Sequence, residues 1–291
     1  MRTIIVLTGS ALLLAACGGS SHASGKLDVV AAENVYGDIA SQIGGTHVSV
    51  TSILSDPSAD PHLFEPGTAT GLAVARAKVV VQNGLGYDAF MEKLESATPS
   101  KSRVVVSIAD ALGVRAADAN PHLWYDVPSL GGIAGAIAFG LEQADPAHTG
   151  DYRAGLGRFR ASLAPLRAEV ARIRSRFGGA PVAATEPVPG YLLAAAGLRD
   201  LAPTEFARAI EAGTEPSPQA VAALDALISG RRIRVLLYNS QAVSPITTQI
   251  RDAARKAGIP VVAVTETLPA GRTFQQWQLA QARALEAALA R

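Results

Sequence analysis

Thiol chemistry is nearly absent from this 291-residue chain, whose single cysteine is Cys17. One thiol makes no internal disulfide, no Cys-based zinc knuckle and no iron–sulfur site. Aromatic residues are 5 % of the chain and methionines number two, which argues against a wide aromatic-lined cleft. Neither sign of charge dominates: 26 Lys and Arg stand against 25 Asp and Glu. A nucleic-acid partner held by bulk electrostatics is therefore not expected. Charged residues are only 18 % and hydrophobic ones 48 %, too apolar a mixture for a disordered chain. No Gly-x-x-x-x-Gly-Lys-Ser/Thr phosphate loop, Gly-x-Gly-x-x-Gly, Gly-x-Ser-x-Gly or His-Glu-x-x-His occurs. Gly84-Leu85-Gly86 lacks the third glycine of a dinucleotide loop and reads as a turn.

The N-terminus carries an address. Arg2 is followed by an apolar run from Ile4 to Leu14, then Ala15-Ala16-Cys17. A charged start, a short apolar stretch and a small-residue site read as a secretory signal over residues 1–16. Leu14-Ala15-Ala16-Cys17 resembles a bacterial lipobox, which implies cleavage before Cys17 and lipid attachment to its sulfur. Gly18-Gly19-Ser20-Ser21 then begins a tether over residues 17–26. No later apolar run approaches the ~18 residues of a membrane span. The expected location is extracytoplasmic, anchored to the cell membrane as a lipoprotein.

From Leu27 onward β-rich runs alternate with helical ones, which predicts α/β architecture with parallel sheets. Strands are expected at Leu27–Ala31, Val48–Leu54, Lys78–Gln82 and Arg103–Ser107, and a second set at Val182–Thr185, Arg234–Tyr238 and Val261–Thr265. Between the sets, Leu156, Phe159, Leu163, Leu166, Val170, Ile173 and Phe177 recur at three- and four-residue steps. That spacing predicts one long helix over Ala147–Phe177, with Pro165 as the point of a kink. The expected organisation is an N-terminal lobe (27–145), a linking helix (146–178) and a C-terminal lobe (179–291).

Five histidines are present. His22, His47 and His148 read as solvated polar residues. His62 and His122 stand in repeated surroundings, Asp60-Pro61-His62-Leu63-Phe64-Glu65-Pro66 and Asn120-Pro121-His122-Leu123-Trp124-Tyr125-Asp126-Val127-Pro128. Proline stiffens each loop, and loops beyond the carboxyl ends of parallel strands are where such folds bind ligands. Two imidazoles held this way suit a transition-metal ion. In the second half Thr185-Glu186-Pro187 and Thr265-Glu266-Thr267 each place a Thr-Glu pair at a strand end. Two carboxylates beside two neutral imidazoles balance a dication. The outer partner of His122 is expected to be Asp126 or a backbone carbonyl.

These loops carry a resemblance. Asp60-Pro61-His62 with Glu65-Pro66, Pro121-His122-Leu123-Trp124 with Asp126, Thr214-Glu215-Pro216-Ser217-Pro218, and Thr265-Glu266-Thr267-Leu268 are similar to segments of the metal-specific solute-binding lipoproteins of ABC importers for zinc and manganese. The resemblance spans most of the mature chain. It implies two α/β lobes joined by one rigid helix, with His62, His122, Glu186 and Glu266 as metal ligands and a membrane permease as partner. It implies a binding protein, expected to be monomeric, and no enzyme. Three positions depart from the pattern: Asn120 stands where the family usually has Asp, Glu186 where many zinc-type members have His, and Glu266 where Asp is commoner. The His-rich loop of many zinc-type members is missing between His62 and His122. The set resembles manganese-type members, and zinc or manganese both fit. Two rival readings use related chemistry: an extracytoplasmic metal-dependent hydrolase, which needs an open coordination position, and a binding protein for a metal chelate.

Overall fold

The computed structural model describes residues 25–57, 61–116 and 119–291, without the side chain of His62. The signal segment, Cys17 and Asp60 lie outside the described residues. No described helix is long and apolar enough to cross a membrane.

Two four-stranded parallel sheets form the body. The first contains β1 (Leu27–Glu33), β2 (Val48–Leu54), β3 (Val79–Gln82) and β4 (Val104–Ser107) in the order β2-β1-β3-β4. The second contains β5 (Pro181–Ala184), β6 (Arg199–Asp200), β7 (Leu236–Asn239) and β8 (Val261–Val264) in the order β6-β5-β7-β8. The halves thus repeat one topology. Inner strands such as Val79–Val81 are wholly buried, as expected where helices cover both faces of a parallel sheet. In each sheet the chain reverses its strand order beside the first strand, and that switch point opens a crevice at the carboxyl ends.

The first half carries α1 (Asn34–Gly44), α2 (Thr68–Arg76), α3 (Ala89–Ala97), α4 (Ile108–Leu112) and α5 (Leu130–Ala144). The linking segment is α6 (Thr149–Ser162) and α7 (Ala164–Phe177), and the second half carries α8 (Gly190–Ala195), α9 (Thr204–Glu211), α10 (Pro218–Ser229), α11 (Pro245–Lys256) and α12 (Phe274–Leu289). The segment at 214–218 leads into α10: Ser217 caps the helix and Pro218 takes the first position, where its missing N–H costs nothing.

The long linking helix expected from periodicity is present and bent, its segments α6 and α7 meeting at Leu163. Pro165 is the cause, since it has no N–H to give to the carbonyl four residues back and its ring crowds that carbonyl. The buried face continues through the break: Phe159, Leu163, Leu166, Val170 and Ile173 belong to one core that runs from Val29 and Tyr36 in the first half to Leu237, Phe274 and Leu289 in the second. At Gly155 the linking segment approaches α1 so closely that a Cβ would sit 2.2 Å from the Ile43 carbonyl oxygen. A shared core of this kind resists wide hinge opening. The short α4, the two-residue β6 and α9 were not expected from the sequence.

Candidate metal centre

Each expected ligand follows the carboxyl end of a strand. Pro61–Leu63 forms one turn of 3-10 helix after β2, which places the His62 backbone, while its side chain is outside the described residues. His122 precedes the turn Leu123–Tyr125. Glu186 lies just past β5 and Glu266 just past β8. His122, Glu186 and Glu266 are all buried, at 0, 1 and 1 % exposure.

The structure brings these three together. His122 Nε2 lies 3.2 Å from Glu266 Oε2. Asn239 Nδ2 donates to Glu266 Oε1 at 2.7 Å and also to Glu186 Oε2, so one amide bridges both carboxylates. Tyr87 Oη donates to Glu266 Oε2 at 2.8 Å. A third carboxylate, Glu211 at the end of α9, has its Oε2 3.8 Å from His122 Nε2. Among the described residues no group of three or more His, Cys, Asp or Glu side chains is by itself a metal-holding cluster; the His62 side chain lies outside that set.

The Glu266 loop is held from both halves. Gln241 Oε1 accepts from the Glu266 and Thr267 amides at 2.6 and 3.1 Å. Asn34 exchanges two 2.8 Å hydrogen bonds with the Leu268 backbone, and Tyr125 Oη donates to the Thr265 carbonyl at 2.6 Å. On the other side, Asp88 accepts from the amides of Asn83 and Gly84 at 2.5 and 2.9 Å. It thereby fixes a turn in which Gly84, Leu85 and Gly86 all have positive φ. That turn aims Tyr87 at Glu266.

The outer partner of His122 differs from the expectation. Asn120 Oδ1 meets His122 Nδ1 at 2.8 Å and also accepts from the His122 amide at 3.0 Å. Asp126 instead accepts from Ser129 Oγ. Pro121 has no N–H, so the Asn120 oxygen reaches over it to the next residue. The other end of the Asn120 side chain donates to the Pro187 carbonyl at 2.7 Å, beside Glu186 in the second half. An aspartate has no such donor, which accounts for the amide at this position. Holding Nδ1 leaves Nε2 to face the carboxylates. Replacing Asn120 with Ala is expected to lower metal affinity about 10- to 100-fold with the fold intact. Calorimetric titration of the variant checks this; native affinity would remove Asn120 from the centre.

The electrostatics favour a cation. For His122 burial lowers the pKa, but Glu211 and Glu266 outweigh it and the net shift is upward. Burial, followed by Glu266 and Glu33, holds the Tyr87 hydroxyl protonated well above its ordinary range. Glu33, at the end of β1, is itself pushed well up by burial and then by Asp88. The centre therefore gathers acceptors around one imidazole with neutral donors behind them. Imidazole nitrogen with carboxylate oxygen is a donor set for zinc, manganese or a similar dication.

Glu211, Tyr87, Asn239 and Gln241 were not anticipated. Asn239 had a legible signal, since it is a polar residue closing the buried strand Leu236–Asn239. Glu211 and Tyr87 lie in no local pattern that names them.

A two-sheet α/β body with one linking helical segment and a buried imidazole–carboxylate centre between its halves defines a ligand-binding protein of the two-lobed class. A family model, that of the zinc-uptake complex component A, periplasmic, matches residues 29–288. The chain belongs to that family. It is 33 % identical over 142 residues to the manganese-binding lipoprotein MntA of Halalkalibacterium halodurans, covering 47 % of each chain. It is 29 % identical over 171 residues to the manganese ABC transporter substrate-binding lipoprotein PsaA of Streptococcus pneumoniae, covering 54 % of this chain and 55 % of that one. The alignments thus span about half the length of these curated relatives. In fold it is similar to the periplasmic zinc-binding protein TroA of Treponema pallidum, with a TM-score of 0.76, 22 % identity, and coverage of 92 % of this chain and all of that one. It is similar also to FpvC of Pseudomonas aeruginosa in complex with Mn2+, with a TM-score of 0.77, 21 % identity, and coverage of 91 and 99 %.

Proposed function

We propose that this chain is an extracytoplasmic solute-binding protein. It captures a divalent transition-metal ion between its two lobes and delivers it to an ABC permease. His62, His122, Glu186 and Glu266 are the ligands, and Glu211 adds a third carboxylate within reach of His122. The observation that carries this reading is the buried trio of His122, Glu186 and Glu266, with Asn239 bridging the two acids. In the metal-loaded protein the cation takes over the charge balance of these acids, and Asn120 and Tyr87 keep His122 and Glu266 in place. The lobes are residues 27–145 and 179–291, joined by 146–178. Cys17 carries the lipid that anchors the protein, which acts as a monomer and catalyses no reaction. Four protein ligands close the coordination shell, unlike the open position a hydrolase needs.

The shared core supports small lobe shifts and loop rearrangement rather than wide closure. Zinc outcompetes manganese at most nitrogen and oxygen sites. The purified protein is therefore expected to bind zinc at least as tightly as manganese. Competitive titration tests both points at once: one ion bound per chain, with zinc displacing manganese. No saturable binding of either ion would overturn the reading, and a clear preference for manganese would overturn the ranking.

A further inference from the structure

We propose that the linking segment is a membrane-facing surface, which rests the protein on an anionic phospholipid bilayer through two rows of arginine. The near-neutral total charge of the chain conceals a local excess. Residues 149–177 hold seven arginines against two acids, so the rest of the chain carries the acidic surplus. All seven arginines are exposed.

Their spacing is regular. Arg153, Arg160, Arg167 and Arg174 follow one another at seven-residue steps, which keeps them near one line of a helix. Arg158, Arg172 and Arg176 lie along the opposite flank of the buried face. At ~1.5 Å per residue the rows extend roughly 35 Å. The line between them holds Ala154, Ala161, Ala164, Ala168 and Ala171, all exposed, so no long side chain shields the guanidinium groups.

The acids nearby are already engaged. Glu142 pairs with Arg153, Glu286 with Arg172 and Arg176, Asp151 with His47, and Asp145 with His148. Glu169 is buried against Arg172. Arg160 donates to the Gly131 carbonyl and Arg174 to that of Ala195. Among the described residues Arg158, Arg160, Arg167 and Arg174 have no carboxylate at ion-pairing distance.

The start of the body lies beside this surface. Leu27 pairs in register with Val48. The preceding residue, His47, contacts Asp151 at 3.2 Å and stacks on His148 with ring centroids 3.9 Å apart, at the first turn of α6. If Cys17 bears the lipid, nine residues lie between it and Leu27, ten Cα steps that span at most ~35 Å. The tether thus keeps this end of the linking segment near the headgroups, whose negative charge complements the arginines. Only this proximity depends on the lipid at Cys17; the charge of the surface does not, and neither depends on the metal.

The test uses the chain from residue 18 onward, which lacks the lipid and keeps every described element. Co-sedimentation is measured with phosphatidylglycerol and phosphatidylcholine vesicles at low and high salt. The native sequence is expected to bind phosphatidylglycerol at low salt, to be released by salt and to ignore phosphatidylcholine. The pair Arg158→Glu and Arg167→Glu is expected to bind at least ~30-fold more weakly, and Arg158→Gln with Arg167→Gln to fall in between. The pair Lys101→Glu and Lys256→Glu, an equal charge change on exposed residues elsewhere, is expected to bind as the native chain does. Circular dichroism verifies the fold of each. Absence of native binding to phosphatidylglycerol, or an equal loss in the lysine pair, overturns the proposal.

Discussion

Replacing His122 with Ala is expected to weaken metal binding by more than ~100-fold, because losing an outer partner of a ligand already costs 10- to 100-fold. The ring is fully buried, fixed at Nδ1 by Asn120, and presents Nε2 to Glu266 and Glu211. Its removal leaves carboxylates facing one another with no nitrogen donor from this loop. The fold is expected to survive, since the surrounding Trp124 and Tyr125 remain anchored in the shared core. Calorimetric titration gives the affinity and circular dichroism the fold. Native affinity in a folded variant would remove His122 from the centre. His62→Ala is expected to behave the same way, which would bring its side chain into the set.

Metal affinity is expected to fall roughly 10- to 100-fold between pH 7.5 and pH 5.5, about a factor of ten for each unit below the His122 pKa for one proton displaced. The direction follows from the structure. Burial lowers that pKa, but Glu211 and Glu266 outweigh it and the net shift is upward, so the proton competes already above the ordinary value of about 6.5. The metal-free protein responds with the opposite sign. A group whose pKa rises on folding contributes stability that is complete below its unfolded pKa and is lost as pH climbs through the folded one. Glu33, raised by burial and then by Asp88, acts in the same direction from its lower unfolded value. The metal-free centre is therefore least favourable at neutral to alkaline pH, where the cation stabilises most. Thermal unfolding with and without metal at both pH values checks this, with the larger metal-induced rise expected at pH 7.5. An equal rise at both would show that no proton is displaced.

Much of this arrangement was legible before the structure. The alternation of β-rich and helical runs fixed the parallel α/β class, because buried strands such as Val79–Val81 need continuous apolar residues. The linking segment was visible because its buried face obeys helical spacing across the break at Leu163; only Pro165 hinted that it was not one rod. His122, Glu186 and Glu266 stood out as candidates on proline-stiffened loops and at strand ends, and the structure buries the three close together. The partners were not, because their roles depend on long-range contact. Tyr87 meets Glu266 across 179 residues of sequence, and Asn120 reaches Pro187 across 67. Asp126 was the nearer acid to His122, but the turn at Leu123–Tyr125 carries it toward Ser129 instead. The charge of the linking segment was hidden by a different effect. A formal total of +1 averages a basic helix with an acidic remainder, and the structure adds that the seven arginines of that helix are all exposed.

The proposed centre holds one divalent transition-metal ion between the lobes through His62, His122, Glu186 and Glu266. Elemental analysis of the protein, loaded with zinc or manganese and then exhaustively dialysed, tests it most directly. One metal ion per chain is expected in the native sequence, and far less than one in the His122→Ala variant carried through the same steps. No retained metal in the native protein, or equal retention in the two, would contradict it.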